Sequence, residues 1–214
     1  MDNRKIIKIV PADDVFHLTW NTGIRCNYDC MYCPTKLHDA TSKHDSLESL
    51  QTYWKSILEK TQKGNRKYKL VFTGGEVTVN KNFKPFIVWL NENYKNEIWS
   101  TVIVTNGSAS LKYYTDLFNY VDTITFSLHS EHVNEKKFFN TMLTLSKTVS
   151  KTKFIHVNIM DEYWNQDRIK HYVKILDDNK ISHSVNAIDY SKQNRKEIIF
   201  KGKLNLEIPK SFVS

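Results

Sequence analysis

Apolar positions along the chain follow two alternating rhythms. Short runs with a period of two read as strands, and the longer runs between them, spaced at three and four, read as helices. The strand-like runs are Phe16 to Asn21, Lys69 to Thr73, Thr101 to Thr105, Thr123 to Leu128, Phe154 to Met160 and Ser182 to Ile188. Between the first two, Leu47, Leu50, Trp54, Ile57 and Leu58 share one helical face. Asp45, with Glu48 three residues on, predicts the start of that helix, and Gly64-Asn65 its end. Four more helical stripes follow: Phe83, Phe86, Ile87, Leu90 and Tyr94; Leu111, Tyr114, Leu117 and Phe118; Phe138, Met142, Leu145 and Val149; and Ile169, Tyr172, Val173 and Leu176.

Six strands separated by five helices predict an α/β fold, a parallel sheet with right-handed crossovers. A closed eight-unit barrel takes about 250 residues, more than residues 16–188 supply. The expected architecture is therefore a partial (β/α)6 barrel, an open TIM-like half-barrel. Residues 1–15 read as an N-terminal extension. Residues 189–214 break the rhythm and read as a C-terminal tail. Within it, Glu197 to Phe200 and Leu204 to Ile208 could pair as a hairpin capping the barrel.

Strands buried on both faces are usually apolar throughout, yet here one face is repeatedly polar. His17, Thr19 and Asn21 alternate with Phe16, Leu18 and Trp20; Thr123, Thr125, Ser127 and His129 with Ile124, Phe126 and Leu128; His156 and Asn158 with Ile155, Val157 and Ile159. If helices cover the apolar face, the polar face lines a wet concave interior suited to a ligand. The plainer alternative is a two-layer sheet with one solvated face.

Composition adds little to this picture. Of 214 residues, 40% are hydrophobic and 25% charged, as in ordinary soluble domains. No run approaches the roughly 18 apolar residues of a membrane span, and the first residues lack the apolar stretch of a signal peptide. The formal net charge of +8 invites a nucleic-acid reading. The basic excess is nearly all lysine, however, without an Arg-rich helix or an aromatic-interleaved basic stripe, so nucleic acid is not the expected partner.

The chemistry concentrates after the first strand. Cys26, Cys30 and Cys33, spaced C-x3-C-x2-C, are all the cysteines of the chain. They are too crowded for a disulfide framework, and thiolates so spaced point to an iron–sulfur cluster or to zinc. Clustered thiols also suit a reducing compartment, so a cytoplasmic setting is expected. Three cysteines would leave one iron of a [4Fe–4S] cubane open to a ligand. Gly74-Gly75-Glu76 follows the second strand at the same end of the sheet, where α/β folds bind ligands. Two glycines allow close backbone approach, and the carboxylate can pair with an ammonium group.

Together these residues resemble the radical S-adenosylmethionine (radical SAM) enzyme superfamily. The resemblance rests on the cysteine spacing with aromatic Tyr32 before the last thiol, on Gly74-Gly75-Glu76, and on six βα units over roughly residues 16 to 188. It implies that Cys26, Cys30 and Cys33 ligate three irons of a [4Fe–4S] cluster, and that the fourth iron chelates the methionine end of S-adenosylmethionine. It further implies that Gly74, Gly75 and Glu76 hold the methionine amino group and that the backbone at Tyr32 meets adenine. Ser127 or His129 and Asn158 would meet ribose and carboxylate, with Asn106 as a further cofactor-binding residue. Where the family carries a Gly-x-Ile-x-Gly-like pattern, this chain has Asn158-Ile159-Met160. The implied activity is reductive cleavage of S-adenosylmethionine to a 5′-deoxyadenosyl radical that abstracts hydrogen from an unidentified small molecule, nucleotide or peptide. A single-electron donor such as flavodoxin or ferredoxin is the implied partner. No catalytic residue beyond the cofactor ligands is assigned.

Other readings of the same residues are a Cys3His zinc site with His38 and a non-catalytic iron–sulfur or S-adenosylmethionine-binding regulatory module. His17 and His156 read as hydrogen-bonded barrel residues. Arg25, Lys36 and Lys43 read as solvated charges beside the cysteine loop that could dock an acidic electron donor. Asp161-Glu162, ending the fifth strand, could touch substrate, but acidic residues in a loop usually face water.

Overall fold

Each of the first five strands hands the chain to one helix, and each helix returns it to the next strand alongside. The computed structural model describes residues 15–34, 37–162 and 165–188. The expected tail over 189–214 with its hairpin, Lys36, and all of the expected extension except Val15 lie outside the described residues. The strands are β1 (Val15–Asn21), β2 (Lys67–Thr73), β3 (Ile98–Thr105), β4 (Thr123–Leu128), β5 (Phe154–Asp161) and β6 (Ser182–Ala187). The helices are α1 (Leu47–Thr61), α2 (Phe83–Tyr94), α3 (Leu111–Leu117), α4 (Glu135–Thr148) and α5 (Gln166–Asp178).

All five pairings are parallel and the spatial order is β1-β2-β3-β4-β5-β6. No pairing joins β1 to β6 among the described residues, so the sheet stays open as a partial barrel. Consecutive parallel strands in sequence order need a crossover each time, and the five helices supply it.

One continuous core joins helices to the apolar strand face. Leu70, Phe72, Ile103, Ile124, Phe126, Leu128, Val157 and Ile159 meet Leu50, Trp54, Phe83, Phe86, Leu90, Tyr114, Leu117, Phe138, Met142, Leu145, Tyr172 and Leu176. Aromatic edges knit it further: Trp54 meets Tyr68 at 5.4 Å, and Tyr114 meets Phe126 at 4.9 Å. No helix among the described residues is long and apolar enough to cross a membrane.

The opposite face is the concave wall. Register puts Ser127 beside Asn158 and Ser184, and Thr125 beside His156 and Ser182. His156 bonds Ser182 Oγ at 2.9 Å and Ser184 Oγ at 3.2 Å, and Ser184 donates to Asn158 Oδ1 at 3.0 Å. His156 is thus a hydrogen-bonded wall residue, whereas His17 is exposed on the edge strand. The middle of the wall is less polar than the outer strands suggest, because Val71, Val102 and Val104 occupy it.

Side-chain caps set the starts of α1, α3 and α4. Ser46, not Asp45, caps α1 by accepting from Ser49 N at 3.1 Å. Ser110 caps α3 and Asn134 caps α4 in the same way.

Candidate functional site

The cysteine loop starts where β1 ends and is fastened to the end of β2 by main-chain bonds. Thr22 N donates to Thr73 O at 2.9 Å, Gly75 N to Gly23 O at 2.8 Å and Glu76 N to Arg25 O at 2.8 Å. On the loop's other side Asp39 N donates to Ile24 O at 2.9 Å, and Cys26 N to Asp39 O at 2.7 Å. The stretch entering the first cysteine is therefore held between the Gly-Gly-Glu segment and the returning chain at Asp39.

Gly74 and Gly75 are required by this fastening. Gly74 adopts φ +134°, and a Cβ there would lie 2.7 Å from Asn21 Oδ1. A Cβ on Gly75 would lie 2.6 Å from Ile24 O. Both glycines make room for the chain's own backbone.

Glu76 is 2% exposed and its carboxylate is occupied from within. Oε1 accepts from Thr78 N at 2.9 Å, Thr78 Oγ1 at 2.6 Å and Thr105 Oγ1 at 2.7 Å. Oε2 accepts from Asn106 N at 2.6 Å. Burial pushes the Glu76 carboxyl up from its ordinary range, while these donors pull it back. The carboxylate cinches the ends of β2 and β3 together. Asn106 in turn donates from Nδ2 to Asn27 Oδ1 at 2.9 Å, and to the Cys26 sulfur at 3.9 Å.

The loop's far side rests on the segment after β4. Met31 N donates to Glu131 Oε2 at 2.9 Å. The Tyr32 hydroxyl bonds His129 Nδ1 and lies 3.4 Å from Glu162 Oε1. Its ring stacks on His129 with centroids 5.8 Å apart. Burial holds His129 down at about 4, with His132 adding to the effect, so the ring is neutral near pH 7. Burial pushes Tyr28 up to about 12, and it raises the Cys26 and Cys30 thiols too. Thiols so raised stay protonated until a cation arrives to displace the proton.

Glu162 is fully buried, against the expectation that it faces water. It accepts from Ser130 N at 3.0 Å and Asn165 Nδ2 at 3.1 Å, and it bonds the Ser130 hydroxyl. An acidic residue in a loop gave no sign of this role, since Ser130, which donates both its amide and its hydroxyl, lies 32 positions upstream. His38 is likewise engaged, with Nε2 bonded to Asp29 Oδ1 at 2.8 Å and Nδ1 to Pro34 O at 3.3 Å. Arg25 and Lys43 are exposed beside the loop.

These elements enclose a cavity of about 290 Å³ at the C-terminal end of the sheet. Cys26, Cys30, Cys33, Tyr32, Gly74, Gly75, Asn106, Ser127 and His129 all line it, together with Tyr28, His38 and Thr105. Two expected site residues fall outside its lining: Glu76 is sealed beneath it, and Asn158 sits one strand further along the wall, bonded to Ser184. Three thiols, two half-buried glycine backbones and neutral polar side chains fit a thiolate-bound metal group with an organic ligand against it.

Fold and cavity together define an open α/β barrel protein with a thiol-lined pocket at the ligand-binding end of its strands. The family model described as the Radical SAM superfamily matches residues 20–156, and the chain belongs to that superfamily. Solved structures similar to the chain include BtrN in complex with AdoMet and 2-DOIA. It is 14% identical with a TM-score of 0.48, over 82% of this chain and 70% of that one. They also include selenomethionine BtrN in an open conformation, 17% identical with a TM-score of 0.43, over 58% of this chain and 53% of that one. The match therefore spans about half the length of the latter structure. No curated protein matches the sequence.

Proposed function

We propose that this protein is a radical SAM enzyme that binds a [4Fe–4S] cluster through Cys26, Cys30 and Cys33 and S-adenosylmethionine beside it. The observation that carries the reading is the cavity of about 290 Å³, in which the three thiols share one space with Gly74, Gly75, Asn106, Ser127 and His129. When bound, the cluster and S-adenosylmethionine would supply reductive carbon–sulfur cleavage and the 5′-deoxyadenosyl radical that takes hydrogen from a substrate.

The chain's own part is to bind, orient and exclude water. Gly74, Gly75 and Glu76 hold the methionine amino group; with the Glu76 carboxylate engaged internally, that contact falls to backbone carbonyls. The backbone at Tyr32 meets adenine, and the Tyr32 hydroxyl, tied to His129 and Glu162, fixes the loop that carries it. Ser127, His129 and Asn106 face ribose and carboxylate, and Asn158 extends that wall towards the substrate. Exposed Arg25 and Lys43 offer positive charge to an acidic one-electron donor of the flavodoxin or ferredoxin kind. A cytoplasmic setting is consistent with three cysteines that form no disulfide.

Anaerobic reconstitution with iron and sulfide tests the reading. About four irons per chain, followed by 5′-deoxyadenosine release on reduction with S-adenosylmethionine, is the expected result. A colourless chain that binds zinc and releases nothing would overturn it. Tight S-adenosylmethionine binding without release would instead mark a regulatory module.

A further inference from the structure

The end of the sheet opposite the thiol-lined cavity carries a second one, of about 240 Å³, where α2 and α3 end and β3 begins. We propose that this end of the barrel is a docking surface for single-stranded nucleic acid. A base would sit in the cavity against Trp99, with phosphates on the lysines around it.

Exposed rings carry the proposal. Among the described residues the two most exposed large apolar side chains are Trp99, at 60%, and Phe154, at 51%. Both stand where strands begin, Trp99 second in β3 and Phe154 first in β5. Two strand spacings separate those strands, about 10 Å across the sheet. Flat rings so placed are platforms on which bases of any kind stack. The surface is also firm, because Phe154 N donates to Asp122 O at 2.8 Å and Asp122 N to Thr101 O at 3.0 Å.

Lysines surround these rings. Lys95 and Lys153 line the cavity together with one carboxylate, Asp122. That carboxylate is engaged: Oδ2 accepts from Thr101 N at 2.8 Å, and Oδ1 lies 3.6 Å from Lys153 Nζ. Lys69 Nζ is 6.0 Å from the centre of the Trp99 ring. Lys67 Nζ donates to Asn96 O, which brings the start of β2 to the same turn. Around Trp99 the lysines outnumber the carboxylates Asp122 and Glu97. These residues come from positions 67 to 154 and meet because parallel strands begin at one end of the sheet. No basic stripe with interleaved rings is therefore visible along the chain.

The cavity suits a base better than a phosphate. Buried Ile87 and Leu90 give it an apolar floor, and Asn91 and Asn119 add carboxamides to its lining. The C-terminal ends of α2 and α3 turn carbonyls and the negative ends of their dipoles towards it. That field repels an anion but accepts the amino groups of a base. Phosphates stay at the rim, where Lys95 is exposed. An acidic protein would meet the same lysines; the cavity flanked by exposed rings is what favours a strand with free bases. This surface lies away from the cysteine loop and does not depend on the proposed function.

Fluorescence anisotropy of a labelled RNA of about 12 nucleotides, titrated with the full chain, tests the proposal. The single strand should bind more tightly than the same sequence as a duplex, whose bases are already stacked. Trp99→Ala should weaken single-strand binding on the order of tenfold, and Trp99→Phe should restore most of the loss. Lys95→Ala should reduce the slope of log affinity against log salt by about 0.7, the share of one phosphate contact. Lys170→Ala, at an exposed site in the first turns of α5 and at the other end of the sheet, should leave that slope unchanged. Should Trp99→Ala fail to fold by circular dichroism, Phe154→Ala takes its place with the same loss expected. Equal affinity for strand and duplex overturns the proposal, as does an unchanged affinity in a folded variant that lacks its ring. Polyglutamate bound as tightly as the RNA, with Trp99→Ala weakening neither, would mark an acidic-protein surface and overturn it too.

Discussion

Gly75 sits so close to Arg25 that a Cβ on it would lie 2.6 Å from the Arg25 carbonyl carbon. Glu76 N then donates to the Arg25 carbonyl at 2.8 Å, one residue before the first cysteine. The glycine is thus a docking surface for the cysteine loop as well as part of the cavity wall. Gly75→Ala should push the loop off the end of β2. The expected cost is about 1–3 kcal/mol of stability, typical of overpacking against backbone that cannot yield. Denaturant unfolding of the metal-free chain measures that cost, and iron content after reconstitution should fall with it. A variant as stable and as iron-loaded as the parent would mean that the 22–26 segment can move freely.

Glu76→Gln separates a structural carboxylate from one that acts only on a ligand. The two Glu76 oxygens accept four hydrogen bonds, from Thr78 N, Thr78 Oγ1, Thr105 Oγ1 and Asn106 N. An amide can replace one oxygen but turns an NH2 towards a donor at the other. Leaving one buried donor unmet costs about 1–3 kcal/mol. The variant should therefore lose stability before any ligand is added, as well as bind S-adenosylmethionine more weakly. Unfolding in urea and equilibrium binding of S-adenosylmethionine, measured side by side, distinguish the two effects.

The fold was readable because its pattern is local. Alternation in β1, β4 and β5 records helices on one side and a cavity on the other, and every strand and helix predicted over residues 16–188 is present. Boundaries moved where capping is a matter of one side chain: Ser46 rather than Asp45 holds Ser49 N. The site was readable as a list of residues but not as a set of partners. Whether Glu76 meets a ligand or Asn106, and whether Glu162 faces water or Ser130, depends on contacts about thirty positions apart, which no local period records. The valines at the centre of the wall share their strands with polar residues on either face, Lys69 and Thr73 on the wall face of β2 and Thr101 and Thr105 on the core face of β3, so alternation did not mark them.

The Ser46 cap gives a measurable consequence at little risk to the fold. Its hydroxyl accepts from Ser49 N at 3.1 Å, at the entry to the helix that buries Leu50 and Trp54. Ser46→Ala should cost about 1 kcal/mol, the usual value of an N-cap side chain. Asp45→Ala should cost less, because Asp45 does not hold that amide. Thermal unfolding of the pair should rank them in this order.

His129 predicts how stability depends on pH. Its folded value is depressed to about 4 from an ordinary 6.5, because the ring is walled in by Tyr28 and Tyr32 and lies near His132. Between those values the unfolded chain binds more protons than the folded one. Stability is therefore full above about 6.5 and is lost as the pH falls towards 4. At pH 5 the loss from this group is about 2 kcal/mol, from 1.5 units at 1.36 kcal/mol each. His129→Asn keeps a polar side chain but does not titrate. Its unfolding free energy should change less between pH 7 and pH 5 than that of the parent. Equal pH slopes in both proteins would mean that protonated His129 is accommodated in the fold.

Glu162 and Tyr32 link the cysteine loop to the far end of β5. Glu162 accepts from Ser130 N at 3.0 Å and Asn165 Nδ2 at 3.1 Å, and the Tyr32 hydroxyl lies 3.4 Å from its Oε1. The carboxylate is fully buried, so its removal leaves donors without water to replace it. Glu162→Ala should cost more than about 2 kcal/mol, since at least two buried donors lose their partner at about 1–3 kcal/mol each. Tyr32→Phe removes only the hydroxyl, with its bond to His129 and its long contact to Glu162, and should cost about 1 kcal/mol. The double variant distinguishes coupling from coincidence. If Tyr32 and Glu162 share one network, its loss should fall short of the sum of the single losses, as contacting groups do in double-mutant cycles. A strictly additive result would mean that the cysteine loop is held at this end by His129 and Glu131 alone.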